Sequence, residues 1–159
     1  MGPLSEIEAI ERMGLALLVG VLFGIERERL GRPAGLRTYM LVCEGAALFM
    51  IASLMLGDQV RAAGVTTYDP SRIASTVVQG VGFLGGGAIL VSGGRVRGMT
   101  TAAGIWVTAA LGIMVGAGFY VLALGGTVIT LAALVILREI EVRLGWAARP
   151  GAPSSQSEE

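Results

Sequence analysis

The sequence predicts an all-α membrane protein, a polytopic bundle of five transmembrane helices. Hydrophobic residues make up 53% of the chain, the mean hydropathy is +0.72 and only 15% of the residues are charged, which is far from the average of soluble proteins. Apolar runs separated by short polar loops recur along the 159 residues. One of these runs, Ile73 to Val91, contains no charge and is long enough as a helix to cross about 30 Å of hydrocarbon.

The first helix is predicted at about residues 8–26, overlapping a polar lead-in at residues 1–12. Its uncharged run, Met13 to Ile25, is short for a full crossing, so two interpretations remain open. Either the helix begins within the lead-in and crosses with Arg12 at the water interface, or it enters the membrane only halfway. We favour the crossing.

Four further helices follow from the apolar runs and from the residues that bound them. Asp69 and Pro70 suit the N-cap and the first position of the third helix. The predicted helices cover about residues 38–57, 70–91, 100–116 and 119–138, and residues 13–140 form one membrane domain. Residues 141–159 become charged and then rich in Ser, Pro and Gly, which predicts a partly disordered tail.

The placement of arginine predicts the orientation, because loops that carry Lys and Arg stay on the cytoplasmic side of a membrane. The loops after the first and third helices and the C-terminal segment together hold nine arginines. The opposite side holds only Arg12, Arg61 and Arg72. We therefore expect the N-terminus outside and the C-terminus, with the tail, in the cytoplasm.

The composition argues against several classes of function. The chain has no His and no Lys, so Ser-His-Asp triads, zinc-histidine sites and Schiff-base lysines are ruled out, and we expect no enzyme and no cofactor. A formal net charge of zero gives no reason to expect nucleic-acid binding. Gly80 to Gly85 match G-x-G-x-x-G, but the motif lies inside an apolar run, so nucleotide binding is not expected either.

Glycine spacing predicts where the helices approach one another. Pairs of glycines four residues apart leave one flank of a helix without side chains, which lets a neighbouring backbone come close. The alternative for the third helix is local unwinding, with freed carbonyl groups lining a cavity. Packing is the favoured interpretation. The candidate packing glycines are Gly20, Gly24, Gly80, Gly82, Gly85, Gly86, Gly104, Gly112 and Gly116.

Glu44 lies about five residues inside the second apolar run. A carboxylate at that depth costs several kcal/mol unless it is paired, protonated or in contact with water. One interpretation is structural, a pair with an arginine or hydroxyl or a position just below the membrane surface. The other is functional, a proton or cation site on a pathway. The sequence leaves both open.

Other polar side chains lie within or beside the apolar runs. One set either forms hydrogen bonds between helices or lines a pore; it comprises Gln79, Thr100, Thr101 and Thr108. A second set, at the end of the first helix, comprises Glu26, Arg27 and Glu28. This set is either a solvated charged face or, with Glu44, a source of oxygen ligands for a hard cation such as Mg²⁺. Whether a metal binds, and which one, stays unknown.

Residues 24–49, 69–90 and 96–120 carry four motifs in order: G-I-E-R-E, A-G-L-R-T, G-x-G-F-L-G-G-G and T-A-A-x-x-W. With this order and spacing, about residues 10–140 resemble the MgtC/SapB family of bacterial inner-membrane proteins. The resemblance implies a multi-pass protein of the bacterial inner (plasma) membrane with five transmembrane helices. It also implies a link to magnesium-limited growth and, in pathogens, a virulence-related role.

The resemblance further implies partners and site residues. Well-studied members of the family restrain the proton-translocating ATP synthase and are bound by a small regulatory membrane peptide, so the resemblance implies such partners here. Many members carry a soluble ACT-like domain after the fifth helix, which we expect this chain to lack. The residues that match the family pattern are Glu26, Arg27, Glu28, Arg37, Thr38, Asp69, Arg72, the glycines between 80 and 87, Thr101 and Trp106.

Two hypotheses result. The first is a non-enzymatic membrane regulator of magnesium or ion homeostasis that contacts another membrane complex or a second copy of itself through its glycine-lined flanks. The second is a small cation transporter or channel, magnesium-specific or coupled to protons, with a polar path past Glu44 and Gln79. Because five helices leave little room for a path in one protomer, transport would require an oligomer, most simply a dimer. Apart from such protein partners, the expected surroundings are the lipid bilayer.

Overall fold

The computed structural model describes residues 4–65, 67–92 and 95–145, so the predicted tail lies outside the described residues from residue 146 onward. Within that part the chain is all-helical apart from one short hairpin, which confirms the predicted class. The elements are α1 (Glu6–Arg29), α2 (Leu36–Ala62), α3 (Ser71–Gly87), β1 (Leu90–Ser92), β2 (Arg95–Arg97), α4 (Met99–Gly116) and α5 (Tyr120–Arg143).

Both ends of α1 are set by local hydrogen bonds. The Ser5 hydroxyl accepts from the backbone N–H of Glu8 at 3.2 Å, so the helix begins at Glu6, inside the predicted polar lead-in. At the other end Gly31 adopts φ +60°, and the N–H groups of Gly31 and Arg32 donate to the carbonyls of the last turn. This is a Schellman ending. Equivalent hydrogen bonds follow the last residues of α2 and α4. The left-handed glycines there are Gly64 and Gly118.

The third helix is shorter than predicted. It ends at Gly87, whereas the sequence predicted a helix to residue 91. Leu90 to Ser92 instead pair antiparallel with Arg95 to Arg97. The prediction of the helix end was wrong because an apolar run has no periodicity that separates the end of a helix from a following strand, and the glycines before it weaken the helix.

The hairpin returns directly to α4 through a left-handed glycine. Gly98 has φ +88°, and a Cβ built on it would lie 2.0 Å from the carbonyl oxygen of Ala88. Only glycine fits this position, because both the backbone angle and the space exclude a side chain. The first turn of α4 therefore lies against the end of α3.

The helices of the bundle alternate in direction. The start of α4 lies beside the start of α2, where the Tyr39 hydroxyl donates to the Thr101 carbonyl at 3.3 Å. Farther along the same two helices, Gly116 lies against Ala47, so α2 and α4 run in parallel. Helix α1 runs opposite to α2, with Gly24 against Leu36 and Gly20 against Met40. Helix α3 also runs opposite to α2, and the Ser53 hydroxyl donates to the Pro70 carbonyl at 3.2 Å near its start.

Glycines without side chains make the close contacts between α2 and its neighbours. A Cβ on Gly112 would lie 2.2 Å from the Cys43 carbonyl oxygen, and one on Gly116 would lie 2.6 Å from that of Ala47. A Cβ on Gly20 would lie 2.7 Å from the Cα of Met40. These distances are shorter than any real Cβ contact, so the backbones approach only because the side chains are missing.

The glycines of α3 have different surroundings. A Cβ on Gly85 would lie 3.3 Å from the carbonyl oxygen of Ala102, a tight contact with α4. A Cβ on Gly80, Gly82 or Gly86 would meet nothing within 4 Å, so within the described chain these three glycines contact no neighbouring helix. Gly82 and Gly86 lie on the outward flank of α3, whereas Gly80 lines an open groove between α2 and α3, so the close packing predicted for the three is absent within the described chain.

The core lies where α1, α2 and α4 meet, around Phe23, Tyr39 and Val115. Helix α5 lies outside it, and only Ala123 and Thr127 of that helix are buried. Among the described residues, α2, α4 and α5 are long and apolar enough to cross a membrane by length and composition. Helix α1 carries charges at both ends and α3 has 17 residues, so neither meets the same measure.

Candidate functional site

Seven of the residues singled out in the sequence gather at one end of the bundle, which we call the loop end. It consists of the last turn of α1, the connection to α2, the first turn of α2, the hairpin and the first turn of α4. The sequence-predicted residues at the loop end are Glu26, Arg27, Glu28, Arg37, Thr38, Thr100 and Thr101. They come from three helices and are separated by up to 75 positions in sequence.

Arg27 lies inside the protein although it belongs to a run of charged residues. Its side chain is 3% exposed, and its Nε donates to the carboxylate of Glu26. Tyr39, fully buried in the next helix, stacks on Phe23 with ring centroids 6.3 Å apart and planes 6° from parallel. A buried arginine needs a compensating charge, so Glu26 acts as the counter-ion of Arg27 rather than as a free ligand.

Glu28 caps the start of α2. Its Oε2 accepts from the backbone N–H of Leu36 at 2.8 Å. A Cβ on Gly35 would lie 1.8 Å from that same oxygen, so the glycine makes room for the carboxylate. The first N–H groups of a helix have no partner within the helix and favour a negative charge. This arrangement gives Glu28 a structural task at the position where the sequence suggested a cation ligand.

Arginine and threonine side chains surround two adjoining cavities at the loop end. One, of about 630 Å³, is lined by Glu28, Arg32, Arg37 and Thr38 together with the connection between α1 and α2. The other, of about 560 Å³, is lined by Arg32, Arg97, Thr100 and Thr101 and the turn at Gly98. Arg32 belongs to both, and Arg37, Arg97 and Thr100 are exposed. Three arginines, Arg32, Arg37 and Arg97, thus line this pair of cavities, against one carboxylate, Glu28.

The polar residues of the membrane-depth region lie on different helices and flanks in the described chain. Glu44 is half-buried one turn beyond Met40, on the side of α2 that faces α1. Gln79 is exposed on α3. Thr108 is fully buried, and its hydroxyl donates to the Gly104 carbonyl of its own helix at 2.8 Å, not to a neighbouring helix. Trp106 points outward and is 49% exposed.

Asp69 and Arg72 lie at the opposite end of the bundle, where α3 begins. The Ser71 hydroxyl and backbone N–H donate to Oδ1 of Asp69 at 2.6 and 2.9 Å. These hydrogen bonds hold the pKa of the Asp69 carboxyl below its ordinary value, the hydroxyl contributing more than the N–H. Asp69 therefore stabilises the turn before α3, but the helix begins at Ser71 with Pro70 as its N-cap, one residue later than the predicted N-cap at Asp69.

Among the described residues no group of three or more His, Cys, Asp or Glu side chains is close enough together to hold a metal ion. Glu26 is paired with Arg27, and Glu28 caps the first turn of α2. Glu44 lies about two turns further along α2. The three carboxylates proposed as oxygen ligands for Mg²⁺ are therefore not brought together in this chain.

Sequence reasoning missed four residues that shape the two ends. Arg12 was assigned to the water interface but is 5% exposed, and Tyr39, Arg32 and Arg97 were not singled out as candidates. For Arg12 the available signal was a lone arginine beside an apolar run, together with a Gly-Ala-Gly turn that leaves a carbonyl to be satisfied. The other three are recognised only when separate loops come together.

A tyrosine hydroxyl fills the space beside Gly104, which gives a testable prediction. A Cβ there would lie 2.5 Å from the Tyr39 hydroxyl oxygen and 3.4 Å from two ring carbons. We expect Gly104→Ala to lower the free energy of unfolding by about 2 kcal/mol, a typical cost of overpacking. Tyr39→Phe removes the contacted oxygen, so the double variant should regain more than half of that loss.

The measurement is a double-mutant cycle from unfolding in detergent, with Tyr39→Phe alone as the control. That control loses one hydrogen bond, worth about 1 kcal/mol. Additive losses in the double variant would contradict the contact.

Comparisons with known proteins agree with this architecture. The model of the MgtC family matches residues 13–143. A protein of Escherichia coli strain K12 called putative magnesium transporter YhiD is 46% identical over 137 residues, which are 86% of this chain and 64% of that protein. Protein SrpB of Synechococcus elongatus is 43% identical over 143 residues, covering 85% of this chain and 77% of SrpB.

Protein MgtC of Salmonella typhimurium strain LT2 is 42% identical over 129 residues, which are 81% of this chain and 52% of MgtC. The chain thus spans about half of MgtC and less than two thirds of YhiD. No solved structure matches. The family match covers every described helix from the second turn of α1 onward, and α2, α4 and α5 have the length and hydropathy of membrane spans. The chain is therefore a membrane protein, and it belongs to the MgtC family.

Proposed function

We propose that all five helices cross the inner membrane of a bacterium, with the loop end in the cytoplasm and the N-terminus outside. The helix directions support this topology. Because α2 and α4 run in parallel, the connection between them has to return across the bundle, and α3 is the element that does so. Helix α1 extends along the full length of α4. Arg12 of α1 lies beside Gly116 at the end of α4, and Arg27 lies near Tyr39, which contacts the start of α4.

The charge distribution supports the orientation. The loop end carries the arginines of the first connection and of the hairpin, and the last turns of α5, which return to it, add Arg138 and Arg143. The other end carries Arg61 and Arg72 on the surface, while Arg12 is buried. Positive loops are retained in the cytoplasm during insertion.

We propose that the chain is a non-enzymatic membrane component of magnesium homeostasis that acts by contact with another membrane complex. One observation carries this proposal: α5 and the outward flank of α3 are apolar surfaces with few contacts in the bundle. Val121, Phe83 and Ile129 are 87%, 83% and 71% exposed. The names of the relatives supply the link to magnesium, and the family resemblance makes the proton-translocating ATP synthase the first complex to test.

The second candidate is a dimeric cation transporter. It is favoured by the name of the E. coli relative and by Glu44, a half-buried carboxylate whose side chain forms no hydrogen bond to the described residues. A carboxylate in that setting is a functional candidate in any membrane span. Since Glu44 lies on the side of α2 that faces α1 and Gln79 is exposed on α3, a pathway past both would have to form between two copies.

A pair of assays on the purified full chain separates the two candidates. In proteoliposomes, Mg²⁺ or proton flux that disappears in Glu44→Gln would establish transport and overturn the regulator. In inverted membrane vesicles, we expect the chain to lower ATP-driven proton pumping by the ATP synthase, with no flux of its own.

The contact surface is tested with photo-crosslinkers placed in α5. A crosslinker at Ile129 faces outward, whereas one at the buried Thr127, two positions earlier, is the matched control. We expect an adduct to a subunit of the ATP synthase from position 129 only, in cells grown at low magnesium. Unchanged proton pumping together with no adduct from the exposed position would refute the regulator.

A further inference from the structure

Four cavities in the described part of the chain adjoin one another, and we call this series the track. An apolar cavity of about 510 Å³ lies between α2 and α3 at membrane depth. It shares Val42 and Leu84 with a second cavity of about 330 Å³. That cavity shares Pro33 with both basic cavities of the loop end. The track therefore leads from an apolar groove to a basic pocket.

The apolar part of the track has the length of one membrane leaflet. Along α2 it extends from Thr38 to Phe49, which is about 16 Å at 1.5 Å per residue. Half of a hydrocarbon core of about 30 Å is 15 Å. The groove is floored by Gly45 and Gly80, where a Cβ would meet nothing within 4 Å, so its width comes from missing side chains.

The basic pocket at the end of the track has the groups that recognise a phosphate. Arg32 and Arg97 line it from two different loops, and no carboxylate lines that cavity. Glu28 lines only the adjoining cavity, where its oxygen already accepts from Leu36. Basic pockets between transmembrane helices on the cytoplasmic side are typical of anionic lipid headgroups.

The first turn of α4 adds donors to the same pocket. The first N–H groups of a helix have no partner within the helix, and Gly98 has no side chain to cap those of α4. Thr101 also lines the pocket, with 2% of the residue exposed. A threonine hydroxyl can donate a hydrogen bond to a phosphate oxygen.

We propose that this track binds an anionic phospholipid of the cytoplasmic leaflet, its phosphate at Arg32, Arg97 and the start of α4 and one acyl chain between α2 and α3. The site goes beyond the proposed function, because it is the same whether the chain regulates a partner or transports an ion. A bound lipid would join the loop end to α3, the helix with few buried residues.

The test measures lipid binding to the full chain purified in detergent, by native mass spectrometry and by the rise in melting temperature on adding lipid. The probes are phosphatidylglycerol, phosphatidylcholine and inorganic phosphate. We expect phosphatidylglycerol to bind and to stabilise, and the other two to have little effect. Equal stabilisation by phosphatidylcholine or by free phosphate would overturn the proposal, since either would show that head and tail are not recognised together.

Two pairs of variants test the two halves of the track. Arg32→Gln with Arg97→Gln should weaken phosphatidylglycerol binding about 25-fold, at about fivefold for each arginine, whereas Arg143→Gln removes an exposed arginine outside the track and should not. Gly80→Leu fills the groove and should weaken binding, whereas Gly82→Leu on the same helix does not line it.

We expect all of these variants to fold, because the two loop arginines form no side-chain hydrogen bond to the described residues and a Cβ on either glycine would meet nothing within 4 Å. Circular dichroism and gel filtration verify this directly. Equal losses in a variant and its matched control would assign the binding to bulk charge or to a general lipid surface, and would refute the site.

Discussion

Gly112→Ala is expected to lower the free energy of unfolding by about 3 kcal/mol, at the upper end of the usual cost of overpacking. The added Cβ would lie 2.2 Å from the Cys43 carbonyl oxygen and 3.0 Å from its carbonyl carbon. Both are backbone atoms within α2, so no side chain can rotate away to make space. The two helices have to separate, and the close contact that joins α2 to α4 is lost along its length.

The matched control is Gly82→Ala. It makes the same chemical change in the middle of a helix, but its Cβ would meet nothing within 4 Å. We expect no loss of stability and a gain of up to about 1 kcal/mol, since alanine favours a helix over glycine. Both variants are compared with the parent chain by unfolding in mixed detergent micelles. A Gly82→Ala protein that is destabilised as much as Gly112→Ala would contradict the open flank of α3.

This comparison also marks how far glycine spacing can predict packing. Gly112 and Gly116 are four residues apart and lie against α2; Gly82 and Gly86 have the same spacing and face open space. Spacing identifies a bare flank, because residues four apart lie on one side of a helix. It does not identify the neighbour, because that depends on how the other helices are arranged.

The loop end illustrates the same limit for charged residues. The sequence indicated that Glu26, Arg27 and Glu28 lie together at a helix end, and their local order is visible in the motif G-I-E-R-E. Their tasks depend on residues elsewhere in the chain: Glu28 caps α2 only because Gly35 leaves space for it.

Composition and hydropathy were sufficient to predict the all-helical class. Both are sums over many residues, so they do not depend on which residues meet in the fold.

A polar residue next to an apolar run is the hardest case. Arg12 was expected at the water interface because the uncharged run that follows it, Met13 to Ile25, is short for a full crossing. Its main partner, the carbonyl of Gly116, is 104 positions away. A sequence pattern cannot predict which backbone carbonyl will need a side-chain donor. Every residue has a carbonyl, and only the fold decides which of them lack a backbone donor.

Arg12 completes the end of α4. In the Schellman ending there, Phe119 and Gly118 donate to the carbonyls of Met114 and Val115, which leaves the carbonyl of Gly116 without a backbone donor. Nη1 of Arg12 donates to that oxygen at 2.7 Å, and Nη2 donates to Glu8 at 2.5 Å. The positive charge also lies at the negative end of the α4 dipole.

The surroundings of Arg12 hold its guanidinium in place. The group lies 5.9 Å from the ring centre of Tyr120, and a Cβ on Gly118 would lie 3.2 Å from one of its nitrogens. Residues from α1, the α4–α5 turn and α5 thus meet at one side chain. Nε of Arg12 has no hydrogen-bond partner among the described residues, so the ion is held by its two terminal nitrogens alone.

Arg12→Gln is therefore expected to lower the free energy of unfolding by about 2 kcal/mol, the usual size for a hydrogen bond to a charged group together with an orphaned carbonyl. Arg12→Lys should recover only part of this, because an ammonium does not reach both oxygens in the planar geometry of a guanidinium.

The control is Arg143→Gln. Arg143 forms the same i to i+4 pair with Glu139, but the two side chains are 77% and 59% exposed. An exposed pair of this kind contributes at most about 0.5 kcal/mol, so its loss should be barely measurable. Unfolding in detergent at low and high salt separates the two, because salt screens the exposed pair and leaves the buried one. Equal, salt-sensitive losses at both positions would mean that Arg12 is solvated, and the contact between α1 and the end of α4 would have to be abandoned.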